Sequence, residues 1–486
     1  MSTQYEAVIG LEVHAQLLTQ SKIFCADPTT FGEPPNTNIS PVSLGHPGVL
    51  PVLNKQVVEY TLRMGLATHC KIRPVSLFAR KHYFYPDLPK GYQISQFDEP
   101  ICYEGFLDVE LDSKGDGTET KRIGITRIHI EEDAGKSIHD LDIDTLVDLN
   151  RAGVALIEIV SEPDIRTAQE AVAYLTQIRQ ILLYLGICDG NMEEGSMRCD
   201  ANISIRPIGE TKLGTKTEVK NMNSFRNVEK AIEYEIKRQI EVVEAGGTIV
   251  QETRGWDANS QTTKSQRSKE QAHDYRYFPE PDLPPIRVSE AWLAEVRKSL
   301  PELAFDRKRR FVRDFALPGY DASVLTQEQA LAQFFEDACS HLAEKSKERY
   351  KLVSNWIMTE VMHVLGERKI TIQELNLAPQ HIAELVDLFA SEAISSKTAK
   401  EIFPEMLVGK APKQIVEEKG LGQVSDTSFI VEIVERILSD NPDEVTRFRG
   451  GKTNLMGFFV GQALKETKGK ANPKVVTQIL QDRLNA

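Results

Sequence analysis

VIGLEVHAQL, residues 8–17, begins with an apolar run and then alternates apolar and polar side chains from Leu11 to Leu17. Glu12, His14 and Gln16 occupy one side of this two-residue repeat, and every side chain on the other side is apolar. Successive side chains of a β-strand point to opposite faces, so a repeat of two is the pattern of a half-buried strand. We therefore predict a strand here whose polar face carries titratable groups.

Two later segments repeat the pattern. Residues 198–206, RCDANISIR, place Asp200 on a polar side opposite an apolar one, and residues 216–220, KTEVK, do the same with Glu218. A third run, IGITRIHIEEDAGK at residues 123–136, ends an apolar strand with adjacent acidic groups that include Glu131 and Glu132. All of these segments favour β-strands with acidic side chains on one face or at one end.

Two interpretations of these acidic strands are open. Antiparallel sheets commonly turn one face to water, which alone explains such alternation. If the strands are neighbours, however, the carboxylates crowd together and raise one another's pKa values unless a cation neutralises them. An oxygen-rich set with one imidazole favours Mg²⁺ or Mn²⁺ over Zn²⁺, and Mg²⁺ is the usual partner of nucleotide phosphates. The pattern then predicts a phosphoryl-transfer site. Its candidate side chains are Glu12, His14, Glu131, Glu132, Asp200 and Glu218.

Composition and length favour a folded protein of several domains. The 486 residues are enough for roughly two to four domains. Hydrophobic residues make up 41% and charged residues 27%, which excludes a disordered chain. We see no secretory leader and no run long enough to cross a membrane. The six cysteines have no pairing rhythm, which is typical of a reducing compartment, so we predict a cytoplasmic protein.

The chain is predicted to have an α+β fold in three parts. Gly, Pro and short alternating runs predict a strand-rich, mostly antiparallel cradle domain over residues 1–288. Helical periodicity then predicts an all-α domain over residues 289–409 and a small basic helical tail domain over 410–486. Within the first domain, one helix is expected after Thr167 and another after Ser224, because both residues can cap a helix N-terminus.

The charge of the chain is unevenly distributed. The net charge is −13, yet residues 446–486 contain eight basic and two acidic residues. A local cation excess of this kind predicts contact with nucleic-acid phosphates, although a solvated basic helix end has the same composition.

Several motifs are missing or ambiguous. GGKT at residues 450–453 resembles the end of a P-loop, but position 446, where the leading Gly belongs, is Thr446. We find no dinucleotide-binding fingerprint and no nucleophile motif suited to glutamine hydrolysis. The loop at residues 80–96, RKHYFYPDLPKGYQISQ, combines cations with aromatic rings and is either a packed loop or a phosphate-binding one.

The ordered motifs resemble one family over almost the whole chain. IGLEVHAQL, LGHPGVLPVLN, YFYPDLPKGYQISQ, RIHIEEDAGK, LNRAGVALIEIVSEPD, MRCDANISIRP, TEVKNMNSF and DYRYFPEPDLPP are similar to the B subunits of the tRNA-dependent amidotransferases. The resemblance implies a heterotrimer with an amidase subunit and a small third subunit. It also implies that ATP phosphorylates the side-chain carboxyl of misacylated Glu-tRNA or Asp-tRNA, and that ammonia from the amidase then forms the amide.

The resemblance assigns roles to particular positions. The family's Mg²⁺-binding acids and His fall on the same six side chains that the strand pattern selects. Four lysines are weaker candidates for contact with the ATP phosphates or the acyl group: Lys81, Lys90, Lys136 and Lys220. The family's tRNA-binding role falls on basic residues of the tail: Arg447, Arg449, Lys452, Lys465, Lys468 and Lys470.

The chain departs from the family at one place. Many relatives have two Cys pairs near the N-terminus that resemble a zinc site, which needs four soft ligands. Here Cys25 stands with Asp27, Ser40 and Ser43 at the other places, so we predict no zinc and a loop that packing must hold.

Two rival functions are open. A non-catalytic tRNA-binding scaffold would use the acidic strands only as a wet sheet face. A stand-alone ATP-dependent ligase for a small acid would work without RNA.

Overall fold

The protein is described here by a computed structural model that covers residues 4–111, 119–139, 142–268, 275–421, 427–467 and 471–485. The chain forms two compact units, Met1–Asp306 and Arg307–Ala486. Within these ranges the buried apolar side chains form three clusters, one in the first unit and two in the second. The domain limits at residues 288 and 409 stay predictions. The helix Glu290–Lys298, which begins just after the first limit, packs through Val296 on the cluster of the first unit.

The first unit contains the strands. They are β1 (Tyr5–Gln16), β2 (Lys71–Ile72), β3 (Val75–Ser76), β4 (Ala79–His82), β5 (Tyr92–Ser95), β6 (Cys102–Glu110), β7 (Thr120–Glu132), β8 (Lys136–Ile138), β9 (Leu146–Asp148), β10 (Ala155–Ser161), β11 (Met197–Pro207), β12 (Thr217–Lys220), β13 (Glu252–Asp257), β14 (Thr262–Ser268), β15 (Phe278–Pro279) and β16 (Ile286–Arg287). Its helices are α1 (Lys55–Ala67), α2 (Ala168–Leu185), α3 (Phe225–Glu244) and α4 (Glu290–Lys298).

One large sheet organises this unit. Its order is β14-β13-β12-β11-β1-β10-β7-β6-β2, and its neighbouring strands are antiparallel except for the parallel pair β12 and β13. Smaller sheets have the orders β15-β4-β5, β16-β3 and β8-β9. The predicted α+β class with a mostly antiparallel sheet is confirmed.

The apolar face of the large sheet forms the core. Ile9, Leu11 and Val13 of β1 are fully buried in it. The helices α1, α2 and α3 pack on the same core through side chains such as Leu62 and Leu175. Because alternate side chains of β1 point the other way, the polar face of the sheet is left free to carry the site.

The two helix starts predicted in the first domain are confirmed. The Thr167 side chain accepts a hydrogen bond from the Glu170 backbone N–H at the start of α2, and Ser224 caps α3 in the same way. Gly186 ends α2 with a φ of 63°, a left-handed conformation that suits a residue without a Cβ atom.

The second unit is helical, as predicted. Its α-helices are α5 (Ala304–Asp314), which spans the division between the units, α6 (Gly319–Leu325), α7 (Gln329–Ser340), α8 (Lys347–Trp356), α9 (Met362–Arg368), α10 (Pro379–Ala390), α11 (Ser396–Met406), α12 (Pro412–Lys419), α13 (Thr427–Asp440), α14 (Pro442–Arg449), α15 (Met456–Glu466) and α16 (Pro473–Asn485). A π-helix, Ile357–Val361, joins α8 to α9, and a 3₁₀ turn, Thr453–Leu455, precedes α15.

Candidate active site

The register of the central strands brings distant acidic residues together. β1 lies between β10 and β11, so Glu12 is opposite Asp200 on β11. On the next pair along β1, His14 is opposite Glu158 on β10. β12 follows β11 in the sheet and adds Glu218 to the same face. This polar face carries two groups of side chains that could each hold a cation.

The first group contains Glu12, Asp200 and Glu218, whose nearest oxygens lie within 4.8 Å of one another. The Lys220 amine lies 2.7 Å from Asp200 Oδ2 and 3.2 Å from Glu218 Oε1. Asn202 Nδ2 donates to Glu12 Oε1 at 2.9 Å, which fixes the third carboxylate. The group therefore brings three carboxylates close together, and two of them contact the Lys220 ammonium.

The crowding of negative charge shifts the pKa values of Glu12 and Lys220. Burial raises the pKa of Glu12, and the charges of Glu158, Glu218 and Asp200 raise it further. The pKa of Lys220 is also raised, because the attraction of Asp200 and Glu218 outweighs the effect of burial. A divalent cation would relieve the repulsion among the carboxylates, so the group fits a hard metal ion.

The second group contains His14, Glu131 and Glu158, again with ligand atoms within 4.8 Å of one another. Glu158 Oε2 is 3.4 Å from His14 Nε2 and 3.5 Å from His129 Nε2. The same His129 nitrogen is 3.2 Å from Glu131 Oε1, which also accepts a hydrogen bond from Ser95 Oγ at 2.6 Å.

The carboxylates of the second group are already compensated by the chain itself. Burial raises the pKa of Glu131, but the cation of Lys81, 3.8 Å away, and the adjacent imidazoles lower it overall. The pKa of Glu158 is lowered in the same way by His129 and His14. Burial lowers the pKa of His14, but its hydrogen bond to Glu158 and nearby negative charge raise it overall. The first group is therefore the better site for an added cation.

One open cavity connects the two groups. It is lined by His14 and Glu131 of the second group and by Asp200 of the first, together with the amines of Lys81 and Lys220. Two reactants bound in this cavity would meet between the two groups, with lysines within reach of each.

Three predicted site residues lie elsewhere. Glu132 and Lys90 form an ion pair in a separate cavity beside Phe24, and Glu132 also accepts a hydrogen bond from the Ile94 backbone N–H at 2.8 Å. Glu131 and Glu132 are adjacent on β7 and therefore point to opposite faces of it. Lys136 is exposed on the β8-β9 hairpin. The six acidic and imidazole side chains thus do not surround a single ion.

Sequence reasoning missed Glu158 and His129. Both are buried, with 8% and 3% exposure. Glu158 interrupts the apolar run ALIEIV at residues 155–160, and His129 lies between two isoleucines in IHI at residues 128–130. A single ionisable residue between apolar neighbours was the available signal, because a buried ionisable group needs a partner.

Comparison with known proteins places these strands in a known family. Residues 7–294 match the GatB/GatE catalytic domain, and residues 333–484 match the GatB domain. The B subunit of the aspartyl/glutamyl-tRNA(Asn/Gln) amidotransferase from Thermodesulfovibrio yellowstonii is 57% identical, over 98% of both chains. The proteins of the same name from Solidesulfovibrio magneticus and Chlorobium limicola are 56% and 55% identical, over 99% of this chain and 99% and 100% of theirs.

The chain belongs to the GatB family of amidotransferase subunits. The predicted family resemblance is confirmed. Members of the GatB family are parts of multi-subunit ligases that form a carbon–nitrogen bond, and this chain is one such subunit. Among the described residues, no helix is long and apolar enough to span a bilayer.

The tail of this GatB-family chain presents several of the predicted tRNA-binding residues to solvent. Arg447, Arg449, Lys452 and Lys465 are exposed. The Arg449 guanidinium also donates to the backbone carbonyls of Leu484 and Arg483 at the end of α16. Lys468 and Lys470 lie outside the described residues, and the tRNA-binding role of all these residues stays a prediction.

Hydrogen bonds join the side chains of the loop that contains Cys25, Asp27, Ser40 and Ser43. Ser43 Oγ donates to Asp27 Oδ2 at 2.6 Å and accepts from the Ser40 backbone N–H at 2.9 Å. Burial raises the pKa of the Cys25 thiol to about 11. Hydrogen bonds between polar side chains therefore add to the packing that was predicted for this loop.

We expect Glu12→Gln to stabilise the folded chain when divalent cations are removed. A raised carboxyl pKa means that the folded state binds this proton more tightly than the unfolded state does. The stability contributed by Glu12 is therefore lost as the pH rises through its raised pKa, and Gln avoids this loss because it cannot ionise. With EDTA at neutral pH, the midpoint of thermal unfolding should be higher for the variant, and the difference should shrink in mild acid.

The matched control is Glu6→Gln, a carboxylate on the same face of β1 that is bonded to Arg206 at 2.7 Å. This substitution removes an attraction instead of a repulsion, so it should not raise the midpoint. Equal midpoints for Glu12→Gln and the native chain at neutral pH would contradict the electrostatics of the first group.

Proposed function

We propose that this GatB-family chain uses ATP to phosphorylate the side-chain carboxylate of the amino acid that misacylated tRNA carries. The substrate is Glu or Asp esterified to tRNA(Gln) or tRNA(Asn), as the names of the relatives indicate. The observation that carries the proposal is one cavity lined by Asp200 of the first group, by His14 and Glu131 of the second, and by Lys81 and Lys220. Such a site suits phosphoryl transfer, in which a protein mainly positions reactants and neutralises charge.

The two-step chemistry follows from the substrate. A carboxylate resists attack by ammonia because it is already negatively charged. In the first step its oxygen attacks the γ-phosphorus of ATP, ADP leaves, and an acyl phosphate remains. In the second step ammonia attacks the acyl carbon, inorganic phosphate leaves with the bonding electrons, and the nitrogen loses a proton. The products are the amide on tRNA, ADP and phosphate.

The first group has the donors that Mg²⁺ requires. Glu12, Asp200 and Glu218 offer only oxygen ligands, and their like charges favour a divalent cation over an empty site. These three residues would hold the ion that accompanies ATP. When bound, the ion supplies positive charge to the phosphate oxygens as negative charge shifts during transfer.

The chain's own cations act on either side of this group. Lys220 bonds to Asp200 and Glu218, and an added cation would weaken that attraction and leave its amine to bind a phosphate oxygen. Lys81 is placed beside Glu131 at the opposite part of the cavity, where it can bind an anionic substrate group. His14 and Glu158 form a hydrogen-bonded pair that can accept the proton released in the amide-forming step.

The remaining partners are part of the proposal. We find no glutamine-hydrolysing nucleophile motif in the chain, so an amidase subunit would supply ammonia, with a small third subunit completing a heterotrimer. The exposed cations Arg447, Lys452 and Lys465 suit contact with tRNA phosphates. Free cysteines and the use of tRNA and ATP agree with a cytoplasmic location.

Trapping with hydroxylamine tests the activation step. The assembled enzyme would receive ATP, Mg²⁺ and misacylated tRNA without glutamine or ammonia. Hydroxylamine attacks acyl phosphates, so we expect a hydroxamate on the Glu or Asp side chain and one ADP for each hydroxamate. Hydroxylamine also cleaves the aminoacyl ester itself, so only the side-chain hydroxamate is counted, and the control without ATP should give none of it.

Three outcomes would contradict the proposal. Formation of the side-chain hydroxamate without ATP would exclude activation by phosphorylation. If Glu12→Ala and Asp200→Ala leave both ATP cleavage and amidation unchanged, the non-catalytic scaffold would be favoured. ATP-dependent amidation of a small acid by the isolated chain, without RNA, would favour a stand-alone ligase.

A further inference from the structure

We propose that the Arg198 guanidinium binds an oxyanion of the misacylated tRNA, either the side-chain carboxylate or the phosphodiester next to the aminoacylated ribose. This inference rests on the proposed function and adds a substrate-binding residue to it. Neither the strand pattern nor the family resemblance assigned Arg198 a role.

Arg198 lies between the two groups of the site. It is on β11, two residues before Asp200, and it is opposite His14 on β1. Even-numbered residues of this strand point to the polar face, and Arg198 lines the cavity that His14 and Asp200 also line. Its side chain is 36% exposed, so a ligand in the cavity can reach it.

A buried carboxylate anchors Arg198 at one point. Arg198 Nη2 donates to Asp133 Oδ2 at 2.9 Å, and Asp133 is only 5% exposed. Asp133 is itself fixed, because Gln16 Nε2 donates to Oδ2 at 2.7 Å and the Ala134 backbone N–H to Oδ1 at 3.0 Å. Within the described ranges, Nη2 is the one Arg198 nitrogen with a hydrogen bond, so Nε and Nη1 remain to donate to a ligand.

The local charge around Asp133 favours an anion. Arg151 Nε is 3.7 Å from Asp133 Oδ2, so this single carboxylate faces two guanidinium groups. Arg151 also donates to the backbone carbonyls of Ala134 and Gly135, at 2.9 and 2.6 Å, which holds it in place. The set of Asp133, Arg151 and Arg198 is therefore positive by one charge.

The lysines of the cavity are already paired with carboxylates. Lys81 is paired with Glu131, and Lys220 is paired with two carboxylates of the first group. An anionic substrate that enters among these acidic side chains needs positive charge that no carboxylate has neutralised. The set of Asp133, Arg151 and Arg198 provides one such charge. A guanidinium also presents a planar fork of N–H groups that matches a carboxylate or phosphate geometrically.

Steady-state kinetics of the assembled enzyme tests the inference. We expect Arg198→Gln to raise the KM for misacylated tRNA about 10- to 100-fold, the range for loss of a charge-assisted hydrogen bond. The KM for ATP should stay unchanged. Arg198→Lys keeps the charge but loses the fork, so its KM should be intermediate, and it provides a second variant if Arg198→Gln does not fold.

Arg206→Gln is the matched control. Arg206 lies on the same strand and face, and its Nε donates to Glu6 Oε1 at 2.7 Å, but it does not line the cavity. Its substitution should leave both KM values unchanged. This comparison separates loss of a substrate contact from loss of an ion pair on β11.

Inhibition by deacylated tRNA distinguishes the two oxyanions. If Arg198→Gln weakens misacylated and deacylated tRNA equally, the phosphodiester is the ligand. If it weakens only the misacylated form, the ligand is the side-chain carboxylate. A KM for misacylated tRNA equal to that of Arg206→Gln would overturn the inference and leave the proposed function intact, whereas full activity of Asp200→Asn would overturn the proposed function itself.

Discussion

Asp200→Asn in the assembled enzyme is expected to lower the rate of ATP-dependent amidation about 10²- to 10³-fold, the usual cost of removing one fixed charge that stabilises a transition state. The substitution removes one of the three negative charges of the first group, including the charge that attracts Lys220 across the 2.7 Å contact. Without it, the site holds both the proposed Mg²⁺ and the lysine less firmly. The rate of ADP formation with misacylated tRNA and the Mg²⁺ concentration for half-maximal rate would measure the effect.

Glu6→Gln again serves as the control for Asp200→Asn, because Glu6 is an acidic residue of the same sheet face that is remote from both groups. It should keep its rate and its Mg²⁺ requirement. Both variants should bind tRNA as the native enzyme does. If Asp200→Asn cleaves ATP at the native rate with the same Mg²⁺ requirement, the first group does not hold the ion.

Glu158→Gln is expected to reduce the amidation rate by about 10²-fold or more, since the second group then loses a fixed carboxylate. Glu158 contacts both His14 and His129, and its hydrogen bond and charge are what hold the pKa of His14 above its ordinary value. With Gln, the effect of burial remains and the pKa of His14 should fall. A histidine ring titration followed by nuclear magnetic resonance would measure this shift.

Glu158→Asp separates the loss of charge from the loss of position. It keeps the carboxylate but shortens the side chain, so the pKa of His14 should stay closer to native while the rate still falls. A native amidation rate in Glu158→Gln, with the pKa of His14 lowered as expected, would show that the second group has no part in the reaction.

Much of the fold was predictable from local patterns. The repeat of two in residues 8–17 predicts β1, and Thr167 and Ser224 mark the starts of α2 and α3. These features depend on neighbouring residues only. Strand order was not predictable, because β1 pairs with β10 and β11, and no local pattern encodes which distant strands become neighbours.

The site was predictable in part for the same reason. The strand pattern selected Glu12, Asp200 and Glu218, which the register brings together. It also selected Glu132, although the side chain after Glu131 on a strand must point to the other face. It missed Glu158, because one acidic residue in an apolar strand shows no periodicity. Only the pairing of Glu158 with His14 in the sheet shows that it belongs to the second group.

The central place of β1 in its sheet has a consequence for biosynthesis. β1 leaves the ribosome first, but the residues opposite Glu12 are Val160 and Asp200, which are translated much later. Until then β1 has no neighbouring strand, and its apolar side chains are uncovered. An unpaired strand of this kind is prone to aggregate. We therefore expect the nascent polypeptide to need a chaperone or rapid elongation through residue 207 before the face that carries the candidate site can assemble.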